Sequence, residues 1–150
     1  MLKLAEDLYR LVYFSRNLIP GKPAEIAAEI ESILESSRRN NAPLGITGAL
    51  IFNSGVFAQV LEGARNDIER IFENIQRDQR HADVHVLAFE ETPNRRFPSW
   101  SMAFVGRSVE GSDLFSWIGA ATGFDAKRME GERMLDIISA IAVEEEAIPA

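Results

Sequence analysis

Asn41-Ala-Pro-Leu-Gly45-Ile-Thr-Gly-Ala-Leu50-Ile-Phe-Asn-Ser-Gly55-Val-Phe-Ala-Gln59-Val-Leu-Glu-Gly63 is the stretch whose reading decides the fold. Pro43 and Gly45 punctuate its start, and Ile46 to Phe52 then forms an apolar strand that the turn residues Asn53-Ser-Gly close. A second strand runs from Val56 to about Glu62. Side chains alternate along it, so Phe57, Gln59 and Leu61 share one face, and a core that takes Phe57 and Leu61 takes Gln59 with them. A buried amide must meet its donors and its acceptor, and a polar ligand or side chain serves that need as well as a backbone group does.

Working outward, Leu11-Val-Tyr-Phe ended by Ser-Arg-Asn reads as an earlier strand with Leu11, Tyr13 and Ser15 on one face. Between it and the hairpin, Ile26, Ala27, Ile30, Ile33 and Leu34 recur at helical spacing, which predicts an amphipathic helix from Pro23 to about Ser37. After the hairpin, Asn66-Asp67 reads as the cap of a second helix with Ile68, Ile71, Phe72 and Ile75 as its apolar stripe, closed by Arg77-Asp-Gln-Arg-His81. A strand from Val84 to Phe89 follows, then the loop Thr92-Pro-Asn-Arg-Arg. The last strand is Trp100-Ser-Met-Ala-Phe-Val, with Trp100, Met102 and Phe104 on one face.

The order β-α-β-β-α-β-β predicts an α+β fold: a ferredoxin-like, mixed five-stranded sheet with two helices on one face. Two further helical stretches, 113–121 and 125–143, separated by Thr122-Gly123, suit covering the other face or pairing with a second subunit. The expected division is a unit over 9–106 and a helical cap or output segment over 107–150, the acidic end beginning at Glu144 being frayed.

With 150 residues and 46% apolar content the chain is the size of one globular domain. A net charge of −7, with arginines interleaved among acids, removes the concentrated basic patch that direct nucleic-acid binding needs. There is no cysteine, so thiolate chemistry and disulfides are excluded. The two histidines, His81 and His85, fall short of a metal site, because the alternation Val84, Val86, Ala88 puts His85 in a strand. Glu6, Asp7 and Arg10 interrupt the amino-terminal apolar run, so neither a signal peptide nor a membrane span is expected, and a cytoplasmic location is.

Residue by residue, Tyr13 reads first as a core tyrosine with a satisfied hydroxyl, Asn40 and Asn41 as a left-handed end to the first helix, and Trp100 and Met102 as core. Gln59 is the unusual member. In combination, Tyr13-x-Ser15, Ser37-x-x-Asn-Asn41, the Gly-Ile-Thr-Gly hairpin, Gln59-Val-Leu-Glu-Gly63, Arg77-Asp-Gln-Arg-His81 and Arg-Phe-Pro-Ser-Trp100-Ser-Met102 form an ordered set over about two thirds of the chain. This set resembles the BLUF domain, a flavin-binding sensor of blue light.

The resemblance implies a flavin ring between the two helices, above the sheet. Asn41 and Gln59 would meet its polar edge, Ile33 and Ile75 would stack on it, Asn40, Asp78, Arg80 and His81 would lie toward the ribityl chain and phosphate, and Ser37 would also bind the cofactor. Ile33 and Ile75 read equally well as core residues. FAD is the expected cofactor, with FMN or riboflavin as alternatives. Asn40 and Asn74 depart from residues that some relatives carry. The implied mechanism is photochemical and turns over no substrate: Tyr13 gives up an electron and a proton, Gln59 rotates or tautomerises, and a red-shifted state results. Trp100, Met102 and Ser15 would relay it. The resemblance further implies a short stand-alone family member whose output passes to a downstream signalling protein or through rearrangement of a homo-oligomer. The competing readings are a flavin-binding redox enzyme, a ligand-free ferredoxin-like interaction module and an acylphosphatase-like hydrolase.

Overall fold

The computed structural model describes residues 7–19, 21–53, 55–98, 102–105, 114 and 124–146. Strand β1 (Leu8–Asn17) leads to α1 (Pro23–Asn41), a short 3-10 turn (Ala42–Leu44), the hairpin β2 (Thr47–Asn53) and β3 (Val56–Ala64), α2 (Arg65–Arg77), β4 (His81–Glu91), β5 (Ala103–Val105) and α3 (Phe124–Glu146). The sheet order is β4-β1-β3-β2-β5, with every neighbouring pair antiparallel except β2 and β5, which run parallel. This is the α+β, ferredoxin-like arrangement. Each helical crossover skips one strand, which leaves β1 and β3 side by side at the centre.

Alternation splits the strands between two cores. Leu11, Tyr13, Leu50, Phe57 and Leu61 pack with Ile30 and Leu34 of α1 and Ile68 of α2. Val12, Ala49, Ile51, Ala58 and Val60 pack with Met134, Leu135, Ile138 and Ile141 of α3. The carboxy-terminal helix thus covers the face opposite α1 and α2. Of the expected helix over 113–121 only Leu114 is described, its backbone N–H donating to Asn53 Oδ1 at 3.0 Å, and Trp100 lies outside the described residues.

Several boundaries differ from expectation. Helix α1 continues to Asn41, whose φ of −82° and ψ of −40° are right-handed, and the left-handed residue is Gly45 at φ +69°. Asn40 and Asn41 therefore sit in the last helical turn and do not cap it; glycine takes the left-handed position because it has no Cβ to clash. Helix α2 begins at Arg65, its N-cap Ala64 makes no side-chain capping bond, and Asp67 lies inside the first turn, where the helix dipole favours a carboxylate. His81 opens β4 and does not close α2. The last strand is described only over Ala103–Val105, with Met102 just before it.

Strand β4 carries a bulge. Val12 pairs with Ala88 but Tyr13 with Val86, so Leu87 is an extra residue. A Cβ placed on Gly131 of α3 would lie 3.2 Å from the Leu87 Cβ and 3.4 Å from the Ala88 Cβ. The bulge turns two consecutive side chains toward α3, and a residue without a side chain admits them.

Candidate functional site

Between α1, α2 and the sheet lies a half-open cleft of about 200 Å³. Its floor is Tyr13 from β1, Leu50 from β2, and Phe57 and Gln59 from β3. Ile33, Ser36, Ser37, Asn40 and Asn41 of α1 form one wall, recurring at the three- and four-residue spacing that puts side chains on one helical stripe. Ile71, Asn74 and Ile75 form the α2 wall by the same rule, and Asp78, Arg80 and His81 close one end.

The sheet register sets Tyr13 directly opposite Gln59. The Tyr13 hydroxyl donates to Gln59 Oε1 in a short contact, and both residues are buried, at 3% exposure each. Gln59 Nε2 in turn donates to the sulfur of Met102, at 3.3 Å. Burial, and then the Asp78 carboxylate, pushes the Tyr13 pKa far above the ordinary tyrosine value. Tyr13 is therefore a neutral phenol that holds its proton against the amide oxygen. The Phe72 ring packs at a tilt 5.3 Å from the Tyr13 ring.

At the closed end, Arg80 holds the Asp78 carboxylate in a bidentate pair, Nε to Oδ1 at 2.9 Å and Nη2 to Oδ2 at 2.5 Å, and Arg80 Nη1 lies 3.6 Å from Glu29 Oε2. Hydrogen bonding from Arg80 holds the Asp78 carboxyl below the usual carboxylate range. His81 Nε2 lies 2.6 Å from the Ile75 carbonyl and Nδ1 2.6 Å from the Ser15 hydroxyl. A carbonyl only accepts, so Nε2 carries a proton; in the neutral ring Nδ1 accepts from Ser15. Asn41 is 1% exposed, with its side-chain Oδ1 buried and its backbone carbonyl accepting from Ile46 N at 3.1 Å.

Ten residues singled out in the sequence, namely Tyr13, Ile33, Ser37, Asn40, Asn41, Gln59, Ile75, Asp78, Arg80 and His81, line this one cleft. Ser15 and Met102 stand behind it, bonded to His81 and Gln59. Arg80 and His81, expected toward a phosphate, direct donors to Asp78 and to Ile75 of the chain itself. Sequence reasoning did not single out Ser36, Leu50, Phe57 or Ile71 as lining residues. Helical spacing from Ile33 and Ile75 was the signal for Ser36 and Ile71, and strand alternation from Gln59 was the signal for Phe57.

The family described as "BLUF: Sensors of blue-light using FAD" matches residues 8–103. The β subunit of a photoactivated adenylate cyclase from Euglena longa is 31% identical over 96 residues, which is 63% of this chain and 11% of the cyclase. The blue light- and temperature-regulated antirepressor BluF of Escherichia coli strain K12 is 34% identical over 73 residues, 49% of this chain and 18% of that protein. The chain thus spans between about a tenth and a fifth of the length of these two relatives. Among solved structures, the dark state of BlrB, a BLUF protein, superposes with a TM-score of 0.69 at 31% identity, covering 93% of this chain and 98% of that one.

Proposed function

From the premise that this chain belongs to the BLUF family of flavin-using blue-light sensors, we propose that it is a photoreceptor in which Tyr13 and Gln59 convert absorbed light into a rearranged hydrogen-bond network. The observation that carries the reading is the buried relay from the Tyr13 hydroxyl through the Gln59 amide to the Met102 sulfur, at the floor of a cleft between two helices. The donor set fits a flavin. Its ring presents amide-like donors and acceptors at one edge, which the Asn41 and Gln59 side chains complement, and Ile33 and Ile75 supply apolar walls from opposite helices. FAD is the proposed form, with Ser37, Asn40, Asp78, Arg80 and His81 toward its ribityl and phosphate groups.

A bound flavin supplies absorption of blue light and, once excited, an oxidant strong enough to draw an electron from a neutral tyrosine. Tyr13 is suited to that loss because burial keeps it neutral, and because Gln59 Oε1 accepts the proton that becomes acidic as the electron leaves. Gln59 is suited to record it because rotation of an amide exchanges donor for acceptor at one place. Its Nε2 then leaves the Met102 sulfur, and Met102, just before β5, carries the change to the sheet edge. Trp100 and Ser15 belong to the same proposed relay. The proposal assigns 9–106 to light sensing and 107–150 to output, directed to a partner protein or a second copy of the chain, with no enzymatic turnover in this chain.

The test is an absorption spectrum of purified protein in darkness and after blue illumination. A flavin spectrum that shifts slightly to the red and returns in the dark is the expected result, and Tyr13→Phe is expected to keep the flavin and lose the shift. Flavin that bleaches to a reduced form points to a redox enzyme, and absence of flavin to an interaction module. Either outcome overturns the proposal, as does a long-lived shift in Tyr13→Phe for the role of that residue.

A further inference from the structure

The geometry points to Arg38 as a positioning residue that holds Met102 against Gln59 and so sets the orientation of the amide, an inference that rests on the photosensor reading above. Strand β5 is a sheet edge, joined over its described residues through Ala49–Ala103, Leu50–Phe104 and Ile51–Val105. Parallel pairing on one side is the weaker kind of ladder, and Met102 lies just outside it. Its backbone carbonyl is held from elsewhere: Arg38 Nε donates to Met102 O at 3.0 Å, across 64 residues of sequence. Arg38 belongs to the last turn of α1, closed by the bond from Ala42 N–H to Arg38 O. That turn also carries Ser37, Asn40 and Asn41 along the cleft. One helical turn therefore lines the site and grips the strand residue beneath it.

The grip matters because of what a thioether is able to do. Sulfur accepts weakly and donates nothing, so Met102 Sδ suits Gln59 Nε2 and opposes Oε1. With Met102 in place, the amide is read at both ends: Oε1 toward the Tyr13 hydroxyl and Nε2 toward sulfur. A flipped amide sets two acceptors against each other. Withdrawing Met102 removes that bias, and the backbone bond to Arg38 resists withdrawal. Arginine suits the task better than lysine, because its planar Nε–H has a fixed direction whereas an ammonium on a flexible stem has none.

The test is the dark recovery of the red-shifted state in Arg38→Ala, Arg38→Lys, Met102→Leu and the double variant Arg38→Ala/Met102→Leu. Arg38→Ala is expected to bind flavin and to recover about tenfold more slowly, the scale of one lost charge-assisted hydrogen bond. Arg38→Lys is expected to fall between, and Arg38→Ala to add nothing in the Met102→Leu background. Recovery within twofold of the parent, or full additivity in the double variant, overturns the inference. A second readout needs no light: the ¹³C-methyl resonance of Met102 in dark protein, identified among four methionines by its loss in Met102→Leu. It is expected to move in Arg38→Ala, and an unmoved resonance overturns the inference. A parent protein without any light-induced shift overturns the photosensor reading instead, and the Met102 resonance still decides whether Arg38 holds that side chain.

Discussion

On β3, Gln59 and Glu62 stand three residues apart, buried on opposite faces of the sheet at 3% and 0% exposure, and their partners differ in kind. Glu62, on the α3 face, accepts from Arg10 Nε at 2.8 Å and from the backbone N–H groups of Arg96 and Phe97 at 2.9 and 2.8 Å. Those donors do not exchange roles. They tie the loop after β4 to the centre of the sheet, and Arg96 extends the tie to Asp136 of α3 at 3.3 Å. Gln59, on the α1/α2 face, is met by a hydroxyl and a thioether, two side chains able to let go. A buried polar group with fixed, charged partners is an anchor; one with neutral, movable partners at the edge of a cleft suits the switching role proposed for Gln59. The surroundings differ as well: Gln59 lines the cleft on the α1/α2 face, whereas Glu62 is fully enclosed at 0% exposure.

The sharpest way to break this comparison is to remove the anchor. Glu62→Ala leaves the Arg10 guanidinium and two backbone donors without their carboxylate and is expected to cost about 3–5 kcal/mol in urea unfolding. A loss below about 1 kcal/mol would make Glu62 no more of an anchor than Gln59. A smaller effect is expected from crowding the α3 face. Gly131→Val places atoms where even a Cβ meets Leu87 at 3.2 Å, and is expected to cost about 1–3 kcal/mol, seen as a lower melting temperature. If that face yields as readily as the cleft side, the variant will be neutral.

The smallest effect lies on the cleft side and depends on pH. The Tyr13 pKa is raised in the folded protein, so above about pH 10 the unfolded chain loses this proton while the native state keeps it. Fewer protons bound to the unfolded state means that stability falls as pH rises. The slope is expected to reach at most about 1.4 kcal/mol per pH unit. Subtracting the same titration of Tyr13→Phe isolates it, and equal slopes in the two proteins would show that Tyr13 ionises as freely as an exposed tyrosine.

Much of the cleft face is legible in the sequence. Alternation alone put Tyr13 with Leu11, and Gln59 with Phe57 and Leu61, because a strand has a side-chain period of two and a half-buried sheet leaves little choice of face. Helical spacing likewise put Ile33 and Ile75 on the inner stripes of α1 and α2. The role of Glu62 is not legible in the sequence, since nothing local distinguishes an exposed glutamate from one whose partners come from Arg10, Arg96 and Phe97, as many as 52 residues away. The bulge at Leu87 was invisible for the same reason: it is a mismatch between two strands, not a property of either. The end of α1 is not legible locally, because Asn40 and Asn41 suit a helix end by residue type, while Gly45, four residues past Asn41, takes the left-handed position.

The sequence by itself determined the order of elements, the inward faces of β1 and β3 and the identity of the buried amide, because these follow from periodicity and from the cost of burying polar atoms. Only the tertiary structure decided that Tyr13 pairs directly with Gln59, that the Met102 sulfur receives the amide while its carbonyl accepts from Arg38, and that Glu62 clamps the loop. Each of those is a register or a long-range hydrogen bond, and it exists only once distant segments have been brought within about 3 Å of one another.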